Sequence, residues 1–241
     1  GWIVYRNAKK MSVQKEITHH QEVKDFKQQE EIKLTKAMLQ GQEEERKRIA
    51  RDLHDGLGGM LAGIKLNLSE FAISHEEERD ESLDPIINQL DTSVTELRRI
   101  AHNMMPETLL KFGLETSLRD LCNAMTTSSI AIHFQSYGLM NDLVMQEQIS
   151  IYRIIQELLG NAVKHAKATQ ILLQCSYTAG SFLITVEDDG IGFDVKELEN
   201  KTGMGLLNIR NRVSYLNGVF EINTNKGQQG TTINIELNVR A

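Results

Sequence analysis

His54 and Asp55 are adjacent in a highly charged stretch in the first half of the chain, Glu45–Gly58. An imidazole beside a carboxylate can act as a nucleophile, because the carboxylate holds one ring nitrogen and leaves the other free to attack. His54 follows Leu53, a member of an apolar stripe, so the helical period turns it about 100° away from that stripe. Such a pair is also common on an ordinary solvated helix. The pair alone leaves both interpretations open.

A second polar set lies on a predicted helix that ends near Ala166. Its members are spaced at i, i+4, i+7 and i+8 and therefore share one face: Glu157, Asn161, Lys164 and His165. The opposite face is apolar and can pack on a sheet. A carboxylate, an amide and a lysine on one face suit Mg²⁺ and phosphate, since Mg²⁺ takes oxygen ligands and keeps several waters. A polar face is also what any solvated helix presents.

Three glycine-containing motifs follow. Asp188–Phe193 comes after a predicted strand, and its glycines permit close backbone approach by a flat or phosphorylated ligand. Gly203–Leu206 precedes a helix, where free N–H groups suit phosphate. Gly230-Thr231-Thr232 leads into the last strand. Each motif alone could be a simple turn. Their order, downstream of His54 and the polar helix, favours a nucleotide site.

Two apolar stripes predict the elements that carry His54. One runs from Ile49 to Phe71 in steps of three and four, and the second runs from Leu83 to Met104 and stops at Pro106. An acidic connector separates them, which makes a helical hairpin with one apolar seam on each helix. A single hairpin cannot cover both seams, so we expect a homodimer with a four-helix bundle.

The second half mixes helices and strands, which predicts a two-layer α/β sandwich. The predicted helices are Leu114–Met125, Met145–Ala166 and Leu206–Leu216. The predicted strands are Ile130–Phe134, Gln170–Tyr177, Phe182–Glu187, Val219–Thr224 and Thr231–Val239. The fold class is therefore α plus α/β, with a lead-in helix over 1–42, the hairpin over 43–111 and the sandwich over 112–241.

Composition narrows the function classes. The formal net charge of -6 argues against nucleic-acid binding, which usually needs a basic surface. The two cysteines have no metal-ligand spacing and indicate neither zinc nor a disulfide. The apolar start Trp2–Tyr5, followed by Lys9 and Lys10, reads either as the end of a membrane helix with its basic flank or as a plain helix start. The apolar positions up to Gln40 do not keep a strict heptad, which fits either a signalling coiled coil or a partly frayed helix that leads into the hairpin.

These motifs together resemble a known family. The segments Ile154–Ala166, Asp188–Phe193, Gly203–Leu206 and Gly230–Thr232 look like the ATP-binding boxes of the GHKL superfamily of gyrase, chaperone and histidine-kinase ATPases, whose fold is Bergerat-type. Arg46–Gly58 resembles the phosphoacceptor box of sensor histidine kinases whose partners are regulators with LuxR-type (NarL-like) output domains. The resemblance covers about residues 43–239.

The resemblance implies an ATP-dependent histidine kinase of a two-component system, the cytoplasmic part of a sensor tethered to the inner membrane. His54 would be phosphorylated, with Asp55 as general base, and would pass the phosphoryl group to a receiver-domain aspartate of a response regulator. Asn161 would bind Mg²⁺, with Glu157 beside it as a metal-shell or water-positioning group. The other matched positions would contact ATP: Lys164 and His165 at the phosphates, Asp188 at the adenine amino group, Gly190 and Gly192 around the base, Gly203, Gly205 and Leu206 at the lid and helix start, and Thr231 behind the adenine.

One position departs from the family pattern. The family often has glutamine four residues after the aspartate of the histidine box, where it positions water to dephosphorylate the regulator, and this chain has Gly59. We therefore expect phosphatase activity to be weak, absent or built from other groups. Two other functions are weighed, a catalytically silent dimeric adaptor and a GHKL enzyme of another kind. The intact Asn161, Asp188 and glycine motifs argue against the adaptor, and the hairpin with His54 argues against the other enzyme.

Overall fold

The computed structural model describes residues 1–74, 83–104, 107–138, 143–194, 204–224 and 230–239. The chain forms two compact units, Gly1–Gln40 and Gly41–Ala241. The first unit is helical from Trp2 onward. Within the described ranges, no helix combines the length and the apolar character needed to cross a membrane. Most of the acidic connector and Pro106 lie outside these residues.

The helix that leads to His54 is continuous. Helix α1 spans Trp2–Arg51 and widens into a π turn over Asp52–Gly58. Two glycines in this turn each lower helix propensity by about 1 kcal/mol relative to alanine, which favours such a local change. Helix α2 (Gly59–Ser74) then continues, and α3 (Leu83–Met104) packs back against it. The Nζ atom of Lys65 lies 2.6 Å from Oδ1 of Asp91 across this hairpin.

Helix α4 enters the second half of the fold. It spans Glu107–Met125, but Gly113 breaks it with φ 79° and ψ -179°. Only glycine adopts this backbone conformation readily, so the helix restarts at Leu114, where the sequence predicts its beginning. Leu109, Leu114 and Leu118 on either side of the break are buried.

A five-stranded sheet forms one layer of the second half. Its strands are β1 (Ala131–Tyr137), β2 (Gln170–Thr178), β3 (Ser181–Asp188), β4 (Val219–Thr224) and β5 (Thr231–Asn238). Their order is β1-β2-β3-β5-β4, and only β1 and β2 pair in parallel. That pair is joined by helix α5 (Met145–Asn161), since a parallel connection needs a crossover. The two-residue turn Ala179-Gly180 joins β2 and β3.

Helices cover one face of the sheet. On β2 and β3 the side chains alternate strictly, and the buried set is Ile171, Leu173, Cys175, Phe182, Ile184 and Val186. These pack with α4, α5 and α6 (Met204–Tyr215) in one hydrophobic core. The opposite face carries polar pairs, such as Gln174 donating to Gln135 at 2.7 Å and Thr185 donating to Asn234 at 2.9 Å. The predicted helical hairpin followed by a two-layer α/β sandwich is confirmed.

The two faces of the sheet should differ sharply in what they contribute to stability. Leu173→Ala removes a side chain with no exposed surface and should lower the free energy of unfolding by about 2–5 kcal/mol. Leu183→Ala is the matched control, because Leu183 lies on the open face and is 45% exposed, and it should cost about 1 kcal/mol or less. Urea denaturation followed by circular dichroism measures both. Equal losses would contradict this assignment of the core.

Candidate functional site: a nucleotide-sized cavity and an exposed histidine

Helix α5 presents Glu157 and Asn161 to a cavity because its other face is packed. Ile151, Ile155 and Leu159 are fully buried in the core. After Asn161 the helix widens into a π turn over Ala162–Ala166 and ends at Lys167, which has the left-handed conformation. A π turn is wider than an α turn, so each residue advances by less than about 100°. The angular register predicted for a regular helix therefore changes just where Lys164 and His165 lie.

Two adjacent aspartates at the end of β3 have different environments. Oδ1 of Asp188 accepts the N–H of Gly190 at 2.9 Å, and its carboxylate faces the cavity. Burial raises the pKa of Asp188, while hydrogen bonds from Gly190 and Thr231 partly lower it. Asp189 instead accepts the N–H groups of Thr169 and Gln170, at 2.7 and 2.9 Å, and the Thr169 hydroxyl. These bonds hold the pKa of Asp189 below its usual value.

Glycine is required where the loop after β3 meets the end of α5. A Cβ at Gly190 would collide with the carbonyl oxygen of Ala166. The Ile191 N–H donates to this same carbonyl at 2.9 Å, which satisfies an acceptor at the helix end. Gly230, with φ 93°, donates its N–H to the Gly190 carbonyl at 2.6 Å. The loop thus lies between the end of α5 and the start of β5.

The start of α6 contacts the polar face of α5. A Cβ at Gly205 would collide with Oε1 of Glu157 and would lie 3.6 Å from Nδ2 of Asn161. The glycine therefore allows the backbone of α6 to approach both side chains. Glu157 and Asn161 are brought together at this point as the sequence predicts.

These elements enclose a cavity of about 370 Å³. This volume falls within the range of small-molecule sites. Eight of the predicted site residues line it: Glu157, Asn161, His165, Asp188, Gly192, Gly205, Leu206 and Thr231. Gly190 supports the loop, as described above. Lys164 is exposed and is not part of the lining. Gly203 lies outside the described residues.

The sequence reasoning missed the apolar part of the lining. Leu158, Val186, Phe193 and Ile233 supply apolar surface to the cavity that Asp188 also lines. A signal for Ile233 exists, since it lies two residues after Thr231 and therefore on the same face of β5. Thr224 was also missed. Its hydroxyl lies 3.1 Å from that of Thr231 and accepts the Phe193 N–H at 3.3 Å.

His54 lies in the π turn, and its side chain is 67% exposed. Its Nδ1 atom is 2.9 Å from Oδ1 of Asp55. An ionised carboxylate can only accept a hydrogen bond, so this contact favours the tautomer with the proton on Nδ1 and a lone pair on Nε2. The predicted orientation of the pair is therefore present.

Glu43, Arg153 and Arg212 form a buried ion cluster that sequence reasoning missed. Nε and Nη2 of Arg153 donate to Oε1 and Oε2 of Glu43 at 3.0 and 3.1 Å. Nη2 of Arg212, on α6, donates to the same Oε1 at 3.0 Å. The three side chains are at most 6% exposed. Arg153 also donates to the Met104 carbonyl at the end of α3.

Arg46 lies next to this cluster on α1. Burial is the main cause that lowers its pKa, and the Arg153 charge lowers it further. The carboxylates of Glu43 and Glu157 raise it in part. Arg46 therefore lies within the electrostatic reach of both the ion cluster and the polar end of the cavity.

Two family models match the chain in sequence. Residues 45–109 match the model described as histidine kinase, and residues 146–241 match the model described as histidine kinase-, DNA gyrase B- and HSP90-like ATPase. The chain belongs to the sensor histidine kinase family. The first match contains His54 and the hairpin, and the second contains every residue of the cavity lining. The resemblance inferred from the motifs is confirmed.

Curated relatives from bacteria match over most of the chain. The sensor histidine kinase MctS of Rhizobium johnstonii is 30% identical over 83% of this chain, and the sensor histidine kinase ComP of Bacillus subtilis is 33% identical over 89%. The chain spans only 44% and 29% of the length of these relatives. Among solved structures, the blue-light activated histidine kinase of Erythrobacter litoralis EL346 has a TM-score of 0.49 at 20% identity, covering 74% of this chain and 60% of that one.

The different environments of Asp188 and Asp189 give a matched test of the cavity. Asp188→Asn should weaken ATP binding by about tenfold or more, because it removes a charge-assisted acceptor from the cavity. Asp189→Asn should leave ATP affinity within about threefold and lower the melting temperature modestly, since its bonds hold the start of β2. Calorimetric titration with ATP and thermal melting measure the two effects. Equal weakening of ATP binding in both variants would contradict the distinction.

Proposed function

We propose that this chain binds Mg²⁺-ATP in the cavity, phosphorylates His54, and passes the phosphoryl group to an aspartate of a response regulator. One observation carries the proposal. A nucleotide-sized cavity lined by Glu157, Asn161 and Asp188 occurs in the same folded unit as an exposed histidine oriented by a carboxylate.

The cavity suits ATP at both ends. Asp188 offers a carboxylate acceptor for the adenine amino group, and the apolar side chains Val186, Phe193 and Ile233 offer surface for the flat base. At the other end, Gly205 and Leu206 begin α6, whose free N–H groups favour phosphate. His165 lines the cavity near the end of the π turn.

The residues at the phosphate end also fit Mg²⁺. Glu157 and Asn161 converge beside Gly205, and both carry side-chain oxygens, the donors that this ion prefers. Two protein ligands are enough, because Mg²⁺ normally takes its remaining ligands from phosphates and water. When bound, the ion would neutralise charge on the phosphates. Glu157 and Asn161 would hold it.

His54 supplies the nucleophile. The Nε2 lone pair attacks the γ-phosphorus, an N–P bond forms, and the bond from phosphorus to the bridging oxygen breaks as ADP leaves. Asp55 holds the Nδ1 proton and can accept it as positive charge develops on the ring. The remaining catalysis is positioning and charge neutralisation, as expected for phosphoryl transfer.

The proposed homodimer is supported by the hairpin. Apolar side chains of both helices remain 38–51% exposed in the single chain: Leu57, Ile64, Phe71, Ile86 and Ile100. A second copy would cover them in a four-helix bundle.

We also propose that the full-length protein is tethered to a membrane and that the first unit forms a coiled coil. These proposals are supported by the apolar residues Trp2–Tyr5, the basic pair Lys9-Lys10 and the exposed apolar residues Val23 and Phe26.

The kinase proposal is tested by incubation with γ-labelled ATP and Mg²⁺. Acid-labile, alkali-stable label should appear on the wild-type chain and disappear in His54→Gln, because the nucleophile is lost. His133→Gln is the matched control, since His133 is another exposed histidine, and it should be labelled like the wild type. Label that persists in His54→Gln would show another acceptor. ATP binding without label in the wild type and the control would favour the adaptor function.

The Gly59 position allows a gain-of-function test. Gly59 has helical φ and ψ of -64° and -45°, and a Cβ there would meet nothing within 4 Å. Glutamine therefore fits without strain and should improve helix propensity by roughly 1 kcal/mol. We expect Gly59→Gln to accelerate dephosphorylation of a phosphorylated partner regulator by about a hundredfold, the low end of a typical general acid–base contribution.

The control for this variant is Gly63→Gln. Gly63 lies one turn further along α2 and has the same open surroundings, so this change adds the same side chain away from His54. Release of inorganic phosphate from the phosphorylated regulator, measured without ATP, separates the variants. Rapid dephosphorylation by the wild type would contradict the expectation drawn from Gly59.

A further inference from the structure

Three polar side chains, those of Asp188, Thr231 and Thr224, form a row across strands β3, β5 and β4. Asp188 is paired with Thr231 in the register of β3 and β5, and Thr224 is paired with Thr231 in the register of β4 and β5. Each position follows the alternation of its strand onto the face that the helices cover. Asp188 and Thr231 line the cavity, whereas Thr224 lies beyond Thr231 and is not part of the lining.

The hydrogen bonds along this row run in one direction, which is fixed by its two ends. The backbone N–H of Phe193 can only donate, and it donates to the Thr224 oxygen at 3.3 Å. At the other end, the ionised Asp188 carboxylate can only accept, and it accepts from the backbone and the hydroxyl of Thr231. The Thr231 hydroxyl has a single proton, so across the 3.1 Å contact between the two threonines Thr224 is the donor. The Gly230 carbonyl lies 3.4 Å from the Thr224 oxygen and is the weaker acceptor.

The row completes the donors around the carboxylate in the cavity. An ionised carboxylate offers about four acceptor sites. The Gly190 N–H, at 2.9 Å, and the two groups of Thr231 occupy three of them. About one site is therefore left for an N–H of the ligand. A base with a carbonyl oxygen in that place would face the carboxylate without a proton between them, so Asp188 selects for an amino group.

We propose that Thr224 is a positioning residue for base selection, because its hydroxyl donates to Thr231 and thereby keeps the Thr231 proton directed at Asp188. Thr224 acts through Thr231, since it does not itself line the cavity. This inference rests on the proposed function, and it names a residue outside the lining that determines which base the same site prefers.

A purely structural role for the Thr224 hydroxyl has a different consequence. If the hydroxyl only held β4 beside β5, or only held the Phe193 backbone, its loss would weaken the binding of every nucleotide alike. Loss of the directed proton at Asp188 instead weakens only the recognition of the amino group. Inosine triphosphate separates these effects, because it differs from ATP in carrying a carbonyl oxygen in place of the adenine amino group.

The test is the ratio of the Kd values for inosine triphosphate and ATP, measured by calorimetric titration of the whole chain with Mg²⁺ present. The wild type should prefer ATP. Thr224→Val keeps the shape of the side chain but removes the hydroxyl, so it should lower this ratio by about fivefold, the size of one ordinary hydrogen bond. Thr185→Val is the matched control, since its hydroxyl donates to Asn234 on the open face of the sheet, and its ratio should equal that of the wild type.

Two further variants separate the hydroxyl from the shape of the side chain. Thr224→Ser keeps the hydroxyl and should restore the ratio to within about twofold of the wild type. Thr224→Ala removes the hydroxyl without adding a methyl group and should lower the ratio as valine does. Thermal melting checks that each variant is folded.

Equal weakening of both nucleotides in folded Thr224→Val and Thr224→Ala, or a lowered ratio that Thr224→Ser shares, would overturn this inference. A wild type that still prefers ATP would leave the proposed function standing in that case. A wild type that binds neither nucleotide would instead overturn the proposed ATP site, and this inference with it.

Discussion

The packing of α5 against the sheet is the constraint on which the site depends. Because Ile151, Ile155 and Leu159 are buried in the core, only the opposite side of this helix can face a ligand. Burial of each such side chain contributes about 1.5–3 kcal/mol, so the helix cannot rotate without losing several times the contribution of a typical hydrogen bond. The orientation of Glu157 and Asn161 toward the cavity follows from apolar contacts that they do not make themselves.

The end of α5 then organises the rest of the cavity. The Ala166 carbonyl accepts the Ile191 N–H, and the Gly190 carbonyl accepts the Gly230 N–H. Hydrogen bonds therefore link the end of the helix to the loop and the loop to the last strand. Buried backbone groups need such partners. Asp188 is held inside this arrangement, where burial raises its pKa. Asp189 lies outside the cavity and accepts a hydrogen bond from the Gln170 N–H at the start of β2. A carboxylate that faces the cavity and one that holds a strand are therefore neighbours in the sequence.

Buried charge acts in the middle of α5, one turn before Glu157. The Glu43 cluster buries three charged side chains, and the cost of removing them from water offsets much of their attraction. A contact of this kind adds little net stability but is specific, because the carboxylate must meet both arginines.

The sequence alone determined the element order, the strands and most of the cavity, because these depend on local periodicity and on glycines at fixed positions. Asn161, Asp188 and Gly205 could be placed from their spacing to helix and strand ends. The absence of Lys164 from the lining could not be predicted, since the π turn changes the angular register only in the folded helix. Neither could the Glu43 cluster, whose partners are 110 and 169 residues away along the chain. Tertiary structure decided these features, because a side chain's partner across such distances is set by packing of whole elements and leaves no trace in local spacing.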